Sequence, residues 1–562
     1  MSLLSRLARL APREPSPDPA LRGALQILDA DTTPETYLRA VEGSVVALVV
    51  AGLVGVIATP AQLRPVTLLA VALVAIGVRE TGRVVPRLLA TAAKQRTLGT
   101  APWLVCRAAM RLRVTPTTEA ATAFASRNPT GPLDRGLAAA VRRGRATGTA
   151  GIDEFLTRWG NRFPPLRRGM RLLERAAAAP TAERERDVDR AVDTVLEGVR
   201  KRASEDAAAL RGPVTAVYAF GVLLPLAFVA ALPATRVAGL PVSVPLLVAV
   251  YDGLLPLGLC CAAGWLVANR PVGFPPSRVP RSHPDVPDDP RFPVAAGVAV
   301  AACAFVAAPL LLPAWTRSFA AVGFGVGTAL TLHYRPYRAV REEVRAVETG
   351  LPDVLHGVGR RVSSGDPVET ALSATAAELD SHAADLFGTA ADRGAALGVG
   401  VRESLLGEHG PIARLPSRRT RDAARLLAAA ASEGRPAGSA LVAAGDHLAE
   451  LARVEAQARR SIQHATKTMG NTAAVFGPLV GGVTVALAGR VGGSRLGETL
   501  PQAPLALAIG GYVLLLAALL TGLATGLERG FDRALVGYRV GLALLAATAT
   551  YLAAVVAGTL VA

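Results

Sequence analysis

Aromatic residues make up only 4% of this 562-residue chain, and there are four cysteines. No C-x-x-C occurs, and the neighbours Cys260 and Cys261 are unsuited to bridging each other. Cys106, Cys260, Cys261 and Cys303 therefore read as small apolar packing residues, not as a disulfide framework or a zinc site. Strand-like alternation is nearly absent. The G-x-x-x-x-G-K-[ST] signature is missing, which excludes ATP hydrolysis by a P-loop, and no G-x-S-x-G elbow supports a hydrolase. The seven histidines (His283, His333, His356, His382, His409, His447 and His464) form no H-x-x-x-H pair. The expectation is a non-enzymatic chain with no catalytic residue, cofactor or metal.

What is abundant is apolar length and arginine. The chain carries 61 Lys plus Arg against 44 Asp plus Glu, a formal net charge of +17, yet its mean hydropathy is +0.36. These figures agree if the apolar residues are concentrated in membrane spans and the arginines in loops and domains outside them. Spans of about 20 residues are read at Ser44–Leu63, Pro213–Leu232, Val242–Ala268, Pro293–Leu312, Thr472–Ala488, Leu505–Leu527 and Val540–Val561, with shorter runs at Pro65–Val78 and Ser318–Leu332. The first short run forms a tight hairpin with the span before it. The fold class is thus an all-α integral membrane protein with nine spans, the second and sixth being the weakest. The N-terminus lacks a continuous apolar stretch and is no secretory signal peptide. Leu3, Leu4, Leu7 and Leu10 opposite Arg6 and Arg9 fit either a short amphipathic surface helix or a frayed end.

Two long segments between the spans are rich in Ala, Leu, Arg and Glu at helical spacing. Each reads as a bundle of five or six helices. The organisation is an N-terminal segment (1–43), a hairpin (44–78), a first bundle (79–212), four spans (213–334), a second bundle (335–471) and three spans (472–562). Even numbers of spans separate the bundles, so both lie on one side. Basic flanks at Arg79/Arg83/Arg87, Arg200/Lys201/Arg202 and Arg335/Arg338/Arg341 make that side the cytoplasm. The linker Asn269–Phe292 and the turn Glu528–Arg539 follow to the same side. The N-terminus is then cytoplasmic and the C-terminus external, in the cell membrane. The first bundle has 26 basic and 14 acidic residues, the second 18 and 17. The charge excess therefore belongs mainly to one of the two.

The bundles can be laid over each other. Leu98–Asn128 parallels Leu351–Leu379, each with an amphipathic helix, a break, Glu119 or Glu369, and an Ala-rich helix. Pro116 and Pro367 are expected in the first turn of that second helix, capped by Thr115 or Asp366. Leu166–Ala177 parallels Ser417–Ala430. Each copy then enters the membrane through similar text, VYAFGVLLPL from Val217 and AAVFGPLVGG from Ala473.

With these paired motifs the chain resembles the type II secretion F-domain family, the polytopic platform proteins of type II secretion systems, type IV pili and archaella. LPDVLHGVGRRVSSGDPVETAL carries the resemblance best, through Leu351, Pro352, Gly365, Glu369 and Leu372, with Glu119 in the first copy. Two F domains with extra spans look like the archaeal versions. The resemblance implies a protein at the base of a pilus-like filament. Its implied partners are a hexameric secretion ATPase, pilin-like or archaellin subunits and membrane lipids; a homodimer is left open.

Basic clusters at Arg142/Arg143/Arg145, Arg167/Arg168, Arg360/Arg361 and Arg418/Arg419/Arg421 are expected to be exposed. They fit a docking surface for acidic patches on the ATPase as well as they fit a lipid-facing or merely solvated face. Nucleic acid is disfavoured, because no aromatic stacking pattern accompanies the charge. Gly323, Gly325 and Gly327 lie in an apolar run and read as close helix packing, not a phosphate loop. Asp252 stands inside an apolar run, and an intramembrane acid is a functional candidate; it is expected either within the span or at an interface near its start, beside Gly253. The alternative function is a secondary transporter with an internal repeat. It is the weaker reading because the repeat lies outside the spans.

Overall fold

The computed structural model describes residues 21–22, 25, 33–58, 64–127, 131–148, 151–161, 163–237, 243–269, 279–287, 289–491, 502–529 and 532–561. The proposed N-terminal amphipathic helix lies outside them. Every secondary-structure element among the described residues is helical. An antiparallel hairpin of α1 (Pro34–Ala58) and α2 (Arg64–Gly99) comes first. It closes through Gly52 against Val71 and Gly82 against Val41, where a larger side chain would collide.

The first repeat is α3 (Ala101–Val114), α4 (Thr118–Ala125), α5 (Pro132–Thr147), α6 (Ile152–Trp159), α7 (Pro164–Ala178) and α8 (Thr181–Tyr218). A π-helical turn (Ala219–Leu223) leads into α9 (Leu224–Val237). After it, α10 (Val244–Leu247), a second π segment (Val248–Leu254) and α11 (Leu255–Ala268) form one continuous rod. Next is α12 (Arg291–Leu311). The second repeat starts within α13 (Thr316–Ser364) and continues as α14 (Val368–Glu378), α15 (His382–Leu397), α16 (Val401–Leu406), α17 (Arg418–Glu433) and α18 (Pro436–Asn471). A third π turn (Thr472–Phe476) joins α19 (Gly477–Val491), and α20 (Gln502–Arg529) and α21 (Arg533–Val561) complete the described chain.

The internal repeat is thus matched helix for helix, from the end of α13 against α3 to α18 against α8. The matching details are physical. Both α5 and α15 end on a left-handed glycine, Gly148 (φ 71°) and Gly398 (φ 64°), a conformation costly for any residue with a Cβ. Both α8 and α18 pass through a π turn at the Phe-Gly pair where each enters its apolar stretch. The expected caps are corrected. α4 is capped by Thr117, whose hydroxyl accepts from Ala120 N at 3.3 Å, while Pro367 itself sits at the N-cap of α14. Pro116 and Pro367 thus precede the first turn, and neither Thr115, which instead ends α3, nor Asp366 is the N-cap of the helix that follows. The reason is that proline holds the chain extended just before each helix begins.

Seven helical stretches among the described residues are long and apolar enough to cross a membrane: Pro34–Ile57, Thr181–Thr235, Val244–Ala268, Arg291–Leu310, Thr466–Gly489, Gln502–Arg529 and Arg533–Thr559. The short runs 65–78 and 318–332 are helical but form the first parts of α2 and α13 and are not among the seven. Large apolar side chains point outward along these rods, including Val54, Ile57, Phe220, Phe228, Val298, Val306 and Leu310. This is the surface of a multi-pass helical membrane protein, with lipid in place of water as its neighbour.

The glycines of α13 do what their setting in an apolar run implies. Gly325 abuts Gly297 and Ala301 of α12, while Gly323 and Gly327 lie against Thr548 and Leu545 of α21. A Cβ on Gly325 would sit 2.7 Å from that of Ala301. Three helix axes approach closely because one small-residue stripe serves both neighbours.

Candidate functional site

The two repeats share a single core. Leu104, Leu112, Leu166 and Met170 of the first and Leu355, Val358, Phe387 and Leu427 of the second belong to one continuous buried cluster. The cause lies in α3, where residues 101–110 and Leu112 are all buried. A helix buried on every side cannot be covered by its own repeat alone, and α17 and α18 cover the remainder.

One charge is buried on that helix. Arg107 is 3% exposed. It donates from Nη2 to Asp134 Oδ1 at 2.8 Å, and its Nη1 lies 3.9 Å from Asp422 Oδ2. Arg418 donates to the other Asp134 oxygen at 2.7 Å and Arg425 to Asp422 at 3.0 Å. Trp103 Nε1 donates to Asp422 Oδ2 at 2.6 Å. Asp134 of the first repeat and Asp422 of the second are thus held by arginines drawn from both. Burial pushes the Arg107 guanidinium below its usual range, against the pull of Asp422 and Asp134. Flanking this cluster, Arg111 pairs with Glu433 and Cys106 Sγ lies 3.8 Å from His447 Nδ1, again across the repeats. Burial raises the Cys106 thiol to about 12, so it is an inert packing group.

The predicted basic residues divide into two groups. Arg142, Arg143, Arg167, Arg168 and Arg360 are exposed. Arg143 pairs with Glu154 on the surface, and Arg167 and Arg168 line a shallow groove with Arg171, Arg175 and Thr194. Arg361 is half-buried and paired with Glu378. The expected exposure of the fourth cluster is corrected. Arg418 joins the seam, Arg419 pairs with Glu455 3.8 Å from Glu348, and Arg421 is half-buried in a groove with Arg402 and Arg425. Asp134, Glu348 and Glu455 come from distant stretches of chain, so helical spacing on α17 reveals only this cluster's Arg418–Asp422 pair.

Among the motif residues, Leu351 and Leu372 are buried in the shared core, and Pro352 lies inside α13 without ending it. Gly365 ends α13 at φ 114°, with its N–H directed to Arg361 and Val362. Glu119 and Glu369 are exposed, each in the first turn of its helix, where a carboxylate opposes the positive helix end.

Asp252 lies more than a turn inside its rod, within the second π segment, and faces α20 at Gly511. Its Oδ1 is buried with no hydrogen-bond partner among the described residues. Tyr251 and Tyr512 meet edge to face beside it, ring centroids 5.1 Å apart. The Tyr251 hydroxyl donates to Pro225 O at 3.2 Å, while that of Tyr512 has no partner. Arg107, Asp134, Asp422 and Tyr512 were not singled out in the sequence. The available signal was Arg107 as the only charge in an otherwise apolar helix turn, APWLVCRAAM.

Described residues of the linker and of the segment before α21 both meet the helical body. His283 is buried with Nε2 2.7 Å from Arg414 O, and Arg341 pairs with Asp532. No protein family, curated protein or solved structure matches the chain.

Proposed function

We propose that the chain is a cytoplasmic-membrane platform protein of a type IV pilus-like or type II secretion assembly machine, coupling a secretion ATPase to pilin or archaellin assembly. The observation that carries this reading is continuity between body and spans. α8 runs through its π turn into α9, α13 is one helix of 49 residues, and α18 runs through its π turn into α19. At 1.5 Å per residue α13 alone is about 70 Å long. Pro213 and Pro336, near the junctions, do not end their helices. A body whose two repeats share one core and whose helices continue into the apolar layer moves its spans when it is pushed. That is the mechanical requirement on a part that receives displacement from a nucleotide-driven motor and passes it to filament subunits. In this reading the protein itself is not an enzyme, the body is cytoplasmic and the N-terminus lies on the same side.

The test is co-purification of the full chain in detergent from its native membrane. A hexameric P-loop ATPase is expected in the eluate, and deletion of the gene is expected to abolish filaments. An eluate without such an ATPase and normal filaments in the deletion strain together defeat the proposal. The alternative, a secondary transporter, is favoured by the unpaired Asp252 carboxylate beside Tyr512. It predicts that Asp252→Asn abolishes solute flux into proteoliposomes, whereas the platform reading predicts no such flux from the parent protein.

A further inference from the structure

Where the apolar rods meet the body, positive charge is in excess. Going up α13 from the apolar stretch, His333, Tyr334 and Tyr337 form a ring cluster with centroids 4.7–6.1 Å apart. Tyr334 packs on Gly537 of α21, and Arg338 stacks on Tyr538 at 4.6 Å. Tyrosines gathered at one level of a helical rod mark the membrane–water interface. The last residue of the span Gln502–Arg529 and the first of Arg533–Thr559 lie at the same end. From that level Arg335, Arg338, Arg341 and Arg345 follow along α13.

Most of them are balanced. Arg338 pairs with Glu342, Arg341 with Asp532, and Arg539 with Glu528, which also accepts from Thr466. Arg459 lies 3.7 Å from Glu455, but Glu455 is already held by Arg419. Arg345 and Arg529 form no ion pair among the described residues. Both nevertheless lie within electrostatic range of each other and of Arg459, with Arg341 beside Arg345 and Arg539 beside Arg529. The carboxylates nearest them, Glu342, Glu348 and Glu528, are committed to other arginines. The negative end of α20 offsets only about half a unit of charge. Like charges drawn from three packed helices at an interface favour an anion between them.

We propose that Arg345, Arg459 and Arg529 form a binding site for the phosphate headgroup of an anionic phospholipid at the membrane surface. The site holds α13, α18 and the α20–α21 turn together, where the body joins the spans. Partial burial, with Arg459 and Arg341 close by, pushes the Arg345 guanidinium below its usual range, and a bound phosphate relieves that strain. A guanidinium is suited to the role because its planar fork meets a phosphate through two hydrogen bonds. The lipid is favoured over a soluble phosphate because Arg529 ends an apolar span and the tyrosine level lies about two helical turns below Arg345, within reach of headgroups for long arginine side chains. The inference depends on the spans being spans and is independent of the machine the protein serves.

The full chain is delipidated in a neutral detergent and titrated with short-chain phosphatidylglycerol, with short-chain phosphatidylcholine, or with inorganic phosphate. Thermal midpoint and lipid adducts in native mass spectrometry are the readouts. Phosphatidylglycerol is expected to raise the midpoint and leave one retained adduct, while phosphatidylcholine and inorganic phosphate do neither. The double variant Arg345→Gln/Arg529→Gln is expected to bind phosphatidylglycerol about 25-fold more weakly, at roughly fivefold per arginine near an anionic surface. The single Arg345→Gln loses about fivefold and provides the test if the double variant does not fold. Arg453→Gln, whose residue pairs with Glu450 elsewhere on α18, keeps parental affinity. Equal stabilisation by inorganic phosphate overturns the lipid assignment. Unchanged phosphatidylglycerol binding in the Arg345→Gln variants overturns the site.

Discussion

Replacing Arg107 with methionine deletes a guanidinium from a seam closed to water. The Arg107 side chain is 4% exposed, that of Asp134 1% and that of Asp422 4%. At an effective dielectric constant of about 20, a unit charge pair about 4 Å apart is worth about 4 kcal/mol. The variant no longer desolvates a guanidinium, and Arg418 and Arg425 still neutralise the two acids. The net destabilisation is therefore about 3 kcal/mol, the lower end of the range for a broken buried pair. That is roughly a hundredfold in the folded-to-unfolded ratio. Guanidinium titration of the full chain in nanodiscs, followed by tryptophan emission, measures it, because Trp103 donates to Asp422 in the same cluster. The seam-reporting transition is compared between variants, since a protein with a body and spans need not unfold as one unit. Adding Asp134→Leu removes the acid that has lost one of its two arginines, and the double variant is expected within about 1 kcal/mol of the parent. A single variant within about 0.5 kcal/mol of the parent, or a double variant worse than either single one, refutes the reasoning.

Gly325→Val and Gly323→Val force α12 and α21 away from α13, and both are expected to abolish monodisperse protein in detergent. Gly258→Ala, where an added Cβ meets nothing within 4 Å, is expected to be harmless. If all three purify alike by size exclusion, the packing argument fails. His447 has its pKa lowered by burial first and Arg113 second. The unfolded chain therefore takes up that proton first, so the stabilisation is complete above about pH 6.5 and declines as the pH falls toward the folded value. Thermal midpoints from pH 7.5 to 5 are expected to fall less steeply in His447→Gln, and an unaltered slope contradicts the assignment. Arg142→Glu/Arg168→Glu reverses exposed charge on the more basic repeat. Under the platform proposal it reduces ATPase recovery severalfold without moving the thermal midpoint, and full recovery removes these residues from the docking surface.

Legibility differed from element to element for physical reasons. The hairpin of α1 and α2 and the role of Gly323, Gly325 and Gly327 follow from local composition, because small residues in an apolar run have few uses besides close packing. The helices of the two repeats were legible from periodicity and breakers, and Gly148 and Gly398 fall where left-handed turns end them. The arginines were not legible. Arg418 and Arg360 look alike on a helical wheel, yet Arg418 meets Asp134, an acid 284 residues away, while Arg360 meets solvent. The caps of α4 and α14 were misplaced by one or two residues, because a proline before a helix and one in its first turn leave similar text.

By itself, then, the sequence determined an all-helical protein with long apolar segments, a repeated pair of basic-to-neutral bundles and no metal or nucleotide signature. These properties depend on neighbours a few residues apart, which is the range over which helical period and composition act. The tertiary structure alone decided that the two repeats are one body, because α3 is buried on every side and borrows its cover from α17 and α18. It also decided which charges face inward, which have no ion pair among the described residues near the tyrosine level, and that helices of the body continue into the spans. Each depends on segments brought together from far apart in the chain, and no local pattern encodes which of them will meet.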